Sequence, residues 1–223
     1  MDTEFDQRQE EFWDDHTNVR RYDHPVVRAF ARQRVEFIAK LLRSWKPHSA
    51  LDVGCGDGFG MQYMQCIAGS IHGCDQSRKM LDANPADDTH LKQCDAYQLT
   101  YEDAQFDLVY CWELLHHIGD PQKVVNEMAR VAGKVVLICE PNSLNPAMEL
   151  FGLLKPEEKG LRRFTPFYTR RLLINAGLKN ISCDTVGWFT PNRTPEWLVR
   201  VLSKFPYRIP MLGLHNIALG FRV

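Results

Sequence analysis

The chain has 223 residues, enough for one α/β domain with a full core and short for two. Apolar residues make up 44% and charged residues 25%, as in an ordinary globular domain, and the formal net charge of -1 excludes a bulk positive field that would favour nucleic acid. No run approaches 18 apolar residues, which excludes a transmembrane helix.

Elements follow in chain order. Residues 1–45 read as an N-terminal helical lid. Its first 23 residues are polar and aromatic, and MDTEFDQRQEEFW is too polar for a signal peptide. From Pro25 to about Arg43, Val27, Phe30, Ala31, Val35, Ile38, Leu41 and Leu42 recur at helical spacing. Ser49–Cys55 predicts a strand ending in glycines, Phe59–Ile67 a helix and Ser70–Asp75 a second strand. Ser77 caps a helix to about Ala83. Leu91–Ala96 and Phe106–Trp112 are the next strands. Asp120-Pro121 opens a helix that Gly133 stops, and Lys134–Cys139 is a fifth, nearly all-apolar strand.

Residues 49–141 thus form an alternating core. Residues 142–165 break the alternation, and the hydrophobic patch Met148–Leu154 marks them as a cap insertion over a site. In residues 166–223, Thr165-Pro166 opens a helix to Gly177, Leu178–Val186 is a strand, Pro195–Ser203 a short helix and Asn216–Val223 the final strand. Repeated strand–helix units imply a single doubly wound α/β domain with a mostly parallel, Rossmann-like sheet and helices on both faces. The seven cysteines show no CxxC pair, and several lie in apolar runs. They read as reduced thiols of a cytoplasmic protein, with no metal site expected. Arg162, Arg163, Arg170 and Arg171 form a local basic cluster whose plainer account is a solvated helix surface.

Gly54, Gly56 and Gly58 alternate directly after the first strand, where glycine lets the backbone approach a ligand and the next helix presents free N–H groups. The dinucleotide fingerprint GxGxxG fails in both phases, because its last position falls on Phe59 or Met61. What stands here is Asp52-Val-Gly54-Cys55-Gly56-Asp-Gly58, with Asp75 closing the second strand and Asp95 the third. An acid at the first place can accept bonds from both ribose hydroxyls, and one at the second from an adenine amino group.

With LDVGCGDG, GCDQS, CDAYQL and FDLVYCWELLHHI, the chain resembles class I S-adenosylmethionine-dependent methyltransferases of the small-molecule "methyltransferase type 11" group, closely over Ala50–Pro141 and in outline elsewhere. The resemblance implies a seven-stranded sheet whose last strand is antiparallel, and S-adenosylmethionine as cofactor. It implies that Gly54 and Gly56 contact the cofactor and Asp75 holds the ribose. Asp95, Ala96 and Tyr97 would lie against adenine, with Cys111 and Trp112 beside the sulfonium. Asp52, Cys55, Gly58 and Gln76 complete the expected contact set. The expected reaction is methyl transfer to a small-molecule acceptor, at oxygen in preference to nitrogen or carbon. A non-catalytic S-adenosylmethionine-binding protein and a lipid-linked acceptor stand as alternatives. No nucleic-acid partner or stable membrane insertion is expected.

A sulfonium methyl is already activated, so positioning supplies much of the catalysis. His116 and His117, just past the fourth strand, are the candidates for a base that takes an acceptor proton. Local packing of the pair is the competing account. Glu140 is a candidate for acceptor binding or for anchoring its loop. Trp13, Tyr22 and His24 are candidates to close over the cofactor, with packing as the plainer reading.

Overall fold

The structure, a computed structural model, describes residues 3–15, 21–43 and 45–222. Its centre is a seven-stranded sheet of order β3-β2-β1-β4-β5-β7-β6. The strands are β1 (Ser49–Val53), β2 (Ser70–Asp75), β3 (Leu91–Gln93), β4 (Phe106–Trp112), β5 (Ala132–Pro141), β6 (Lys179–Val186) and β7 (His215–Phe221). The pairs β1–β2, β1–β4, β2–β3 and β4–β5 are parallel, and β7 runs antiparallel to both β5 and β6. Val223, placed in the last strand by sequence, lies outside the described residues.

The helices are α1 (Thr3–Asp15), α2 (Pro25–Leu41), α3 (Phe59–Met64), α4 (Arg78–Ala83), α5 (Pro121–Val131), α6 (Pro146–Leu154), α7 (Pro166–Asn175) and α8 (Glu196–Leu202). The predicted starts hold for physical reasons. Ser77, Asp120 and Thr165 each accept a backbone N–H with the side chain, and proline occupies the first turn of α2, α5 and α7. Two buried clusters flank the sheet. One joins Phe30, Ile38 and Met64 to Leu108, Tyr110 and Leu137; the other joins Val125, Met128 and Leu173 to Val109, Cys111 and Val136. Alternate residues of β4 and β5 feed opposite faces, as the period of a strand requires.

Three differences from the sequence expectation bear on the site. Gly133 does not stop a helix. α5 ends at Val131, and Ala132 already pairs with Phe106, so Gly133 lies inside β5. β3 ends at Gln93, two residues short of Asp95, because the Asp95 carboxylate accepts the Tyr97 N–H at 2.8 Å and turns the chain. The segment after β5 contains α6 and a 3-10 turn at Pro156–Arg163. β1 lies between β2 and β4, and the crossovers reverse direction there, which opens a crevice beyond the carboxyl ends of these strands.

Candidate functional site

That crevice is a cavity of about 610 Å³, in the range of small-molecule sites. One half is built on the ends of β1, β2 and β3. Gly54, Gly56 and Gly58 have φ of +72°, +48° and +82°, so the loop traces a path that side-chain-bearing residues adopt only under strain. A Cβ at Gly54 would also strike Leu114, and one at Gly58 would strike Asn84. Asp75 ties this loop to the next turn. Its Oδ2 accepts the Gly56 N–H at 2.8 Å and its Oδ1 the Ser77 N–H at 2.9 Å.

Asp52, Gly54, Cys55, Gly56, Asp75, Gln76, Asp95, Ala96, Tyr97 and Trp112 all line this cavity. Burial holds the Asp52 carboxyl well above the usual carboxylate range, the nearby Tyr110 hydroxyl offsetting part of the effect. Its Oδ1 is enclosed without a donor from the described residues. A buried acceptor at a cavity wall fits a ligand that carries its own donor or cation. Two expected residues stand elsewhere. Cys111 is fully buried on the opposite face of β4 from Tyr110 and Trp112, inside the second apolar cluster, so it does not border the cavity. Gly58 is the N-cap of α3, packed against Asn84 behind the loop.

The other half is roofed by α1, α6 and the Pro156–Arg163 turn. Phe12, Trp13, Met148, Phe151 and Leu161 supply an apolar lining. α1 is pinned by polar contacts. Asp6 accepts the Gly119 N–H at 2.7 Å and the Tyr97 hydroxyl at 3.0 Å, and Gln9 Nε2 donates to the Glu157 carbonyl at 2.8 Å. Trp13 lies edge-on to His117, with ring centroids 5.0 Å apart. Tyr22 and His24 do not reach the cavity. His24 caps α2, and the Tyr22 carbonyl accepts the Tyr63 hydroxyl. The basic cluster is partly spent on structure, since Arg162 pairs with Glu149 and Arg163 donates to the Ile118 and Gly119 carbonyls.

The two histidines differ. His116 is buried with both ring nitrogens engaged: Nδ1 lies 2.6 Å from Glu140 Oε2 and Nε2 3.2 Å from Glu158 Oε2. Burial opposes its charge, but the Glu140 carboxylate, then Glu158, carry its pKa up to about 10. A doubly bonded imidazolium has no free lone pair, so His116 is not the base that its position suggested. Burial and the charge of His116 push His117 down to about 3, a neutral ring with Nδ1 2.8 Å from Gln9 Oε1. Glu140 anchors its surroundings, accepting the Leu115 N–H at 2.7 Å and the His116 N–H at 3.3 Å. Glu113 accepts from Arg34 at 2.8 Å. Arg34 is itself sealed between the rings of Phe30 and Trp112.

Asp6, Gln9 and Glu158 belong to the site and escaped the sequence reading. Phe5, Gln9, Phe12 and Trp13 do follow a helical period, and that signal could have found α1. Nothing local marks Glu158.

Residues 51–137 match the family model described as a methyltransferase domain. Norajmaline N-methyltransferase of Rauvolfia serpentina is 30% identical over 183 residues, 73% of this chain and 59% of that protein. Ubiquinone biosynthesis O-methyltransferase of Coxiella burnetii is 32% identical over 102 residues, 43% of each chain. This chain therefore spans about three-fifths of the first relative and under half of the second. Among solved structures, a possible histamine N-methyltransferase from Thermotoga maritima superposes with a TM-score of 0.71 at 16% identity, covering 89% of this chain and 91% of that one. A SAM-dependent methyltransferase from Archaeoglobus fulgidus gives 0.59 at 16% identity, covering 84% and 94%. At these identities the likeness is one of fold.

Proposed function

Because residues 51–137 are a methyltransferase domain of the class I S-adenosylmethionine-dependent family, we propose that the protein moves a methyl group from S-adenosylmethionine to a small-molecule acceptor held under α1 and α6. The observation that carries this reading is the joint placement of the glycine loop, Asp52, Asp75 and Asp95 around a single cavity that Phe12, Trp13, Met148 and Phe151 also line. The bare backbone at Gly54 and Gly56 suits close approach of the donor. The unsatisfied Oδ1 of Asp52 suits its ammonium group, and Asp75 and Asp95 suit ribose and adenine donors. Gln76, Cys55, Ala96, Tyr97 and Trp112 complete the wall.

When bound, S-adenosylmethionine supplies an electrophilic methyl on sulfur. The chain's own contribution is to hold the acceptor in line and exclude water. Phe12, Trp13, Met148 and Phe151 cover the acceptor end. His117 lines the acceptor end. Positioning rather than strong base catalysis is the mechanism that this arrangement favours.

Oxygen is the proposed acceptor atom, supported by the ubiquinone-type relatives; the norajmaline relative supports nitrogen as the second reading. Exposed Leu150, Leu153 and Leu154, on the outer face of the helix that lines the acceptor end, favour a lipid-linked variant of the same reaction. The test is calorimetric binding of S-adenosylmethionine, followed by product analysis with a panel of phenols, amines and lipid-linked phenols. Binding with methylated product supports the reading. Tight binding with no product across the panel supports a non-catalytic binding protein, and no binding overturns the proposal.

A further inference from the structure

His116, His117 and Glu158 each present a ligand atom to one point in the cavity wall, all within 4.8 Å of one another. His116 Nε2 and Glu158 Oε2 are already 3.2 Å apart. We propose that these three side chains bind one divalent transition-metal ion of the zinc class. The site is argued from its ligands alone and does not require the methyl-transfer reading.

Two imidazoles and one carboxylate are the donor set of zinc and its neighbours, whereas magnesium and calcium take oxygen ligands. Tetrahedral zinc spaces its nitrogen and oxygen ligands about 3.3 Å apart. The widest pair here must therefore close by at most about 1.5 Å.

The surroundings are built as those of a metal ligand. Behind His116, the Glu140 carboxylate accepts a hydrogen bond from Nδ1 and is itself held by the Leu115 and His116 N–H groups. A carboxylate behind a histidine fixes the tautomer that offers Nε2 to a metal. His117 is oriented by Gln9 of α1.

Glu158 Oε2 already lies 3.2 Å from His116 Nε2, the atom at which a divalent cation would take the place of a proton, which goes to solvent. Three protein ligands leave a fourth position open to the cavity, the arrangement of catalytic rather than structural zinc. On the methyl-transfer reading, that position meets the acceptor and would polarise its hydroxyl.

The test uses the whole chain, stripped with chelator and titrated with zinc by calorimetry, with cobalt as a spectroscopic substitute. One zinc per chain is expected, with tetrahedral cobalt absorption bands, a raised Tm and no response to magnesium. His117→Gln and Glu158→Gln should each weaken zinc at least about tenfold while circular dichroism stays native. Zinc uptake equal in the wild type and in both variants, or no uptake, overturns the proposal. Zinc uptake without methyl transfer would leave it standing and overturn the functional reading instead. Methyl transfer by a chain that takes up no zinc would do the reverse.

Discussion

His116 Nδ1 and Glu140 Oε2 lie 2.6 Å apart with both side chains almost wholly enclosed, so the turn after β4 is latched to the end of β5 by a buried ion pair. The same imidazole reaches Glu158, and the His116 carbonyl packs so closely on Gly160 that no Cβ could fit there. The latch therefore carries the cap as well as the core. Glu140→Gln leaves the imidazolium its second carboxylate, Glu158, but should cost about 1–3 kcal/mol, because one amide oxygen cannot serve three N–H donors and its NH2 group would face them. Urea denaturation checks this, and a loss below about 1 kcal/mol would show that the pair is not enclosed as described.

Asp75 has two tasks. It organises the glycine loop through Gly56 and Ser77, and it is the proposed ribose acceptor. Asp75→Ala removes both and should weaken S-adenosylmethionine at least about tenfold, the scale of a lost charged hydrogen bond. Asp75→Asn keeps one acceptor oxygen and should fall between. Calorimetry checks the order, and unchanged affinity in the alanine variant removes Asp75 from the site.

The half of the site on β1, β2 and β3 was legible because it is local. A short apolar strand, alternating glycines and an acid at the next strand end are set by neighbours in sequence. Asp95 could be recognised even though β3 stops earlier, since its own carboxylate makes the turn. The acceptor half was not legible for the same reason inverted. Gln9 meets His117 across 108 residues and Glu157 across 148, and no local pattern encodes such a pairing. His116 and His117 illustrate the limit: adjacent in sequence, they are driven in opposite directions, His116 upward by Glu140 and Glu158, and His117 downward by burial and the charge of His116, and only the fold sets those surroundings. α6 was masked because its apolar residues serve two faces, one lining the cavity and one exposed, which blurs the helical period.

Cys111 and Trp112 are adjacent on β4 and face opposite sides of the sheet. Cys111→Ala should leave S-adenosylmethionine affinity within about twofold, and should cost about 1 kcal/mol of stability from the small cavity left in the second cluster. Paired calorimetry and urea denaturation check it. A clear affinity loss at unchanged stability would return Cys111 to the donor wall.

His215 gives the pH prediction. It is buried at the start of β7, edge-on to Phe30, with Arg34 of α2 and Glu113 of the turn after β4 facing its ring and His116 farther off. Burial first and then Arg34 hold its pKa down to about 3 against an ordinary 6.5, with Glu113 pulling the other way. The folded chain therefore keeps this ring neutral while the unfolded chain protonates it below pH 6.5. This contribution is complete above the unfolded value and falls as pH drops from 6.5 toward 3. Each pH unit in that window should remove about 1.4 kcal/mol. Carboxylates titrate in the lower part of the same range, so the comparison must be with His215→Asn, which cannot take the proton. That variant starts less stable, because the ring leaves a gap against Phe30. Its stability should then fall less steeply than the wild type, by about 2 kcal/mol between pH 6.5 and 5. Urea denaturation at half-unit steps measures both curves, and parallel curves would mean that His215 takes up its proton in the folded chain.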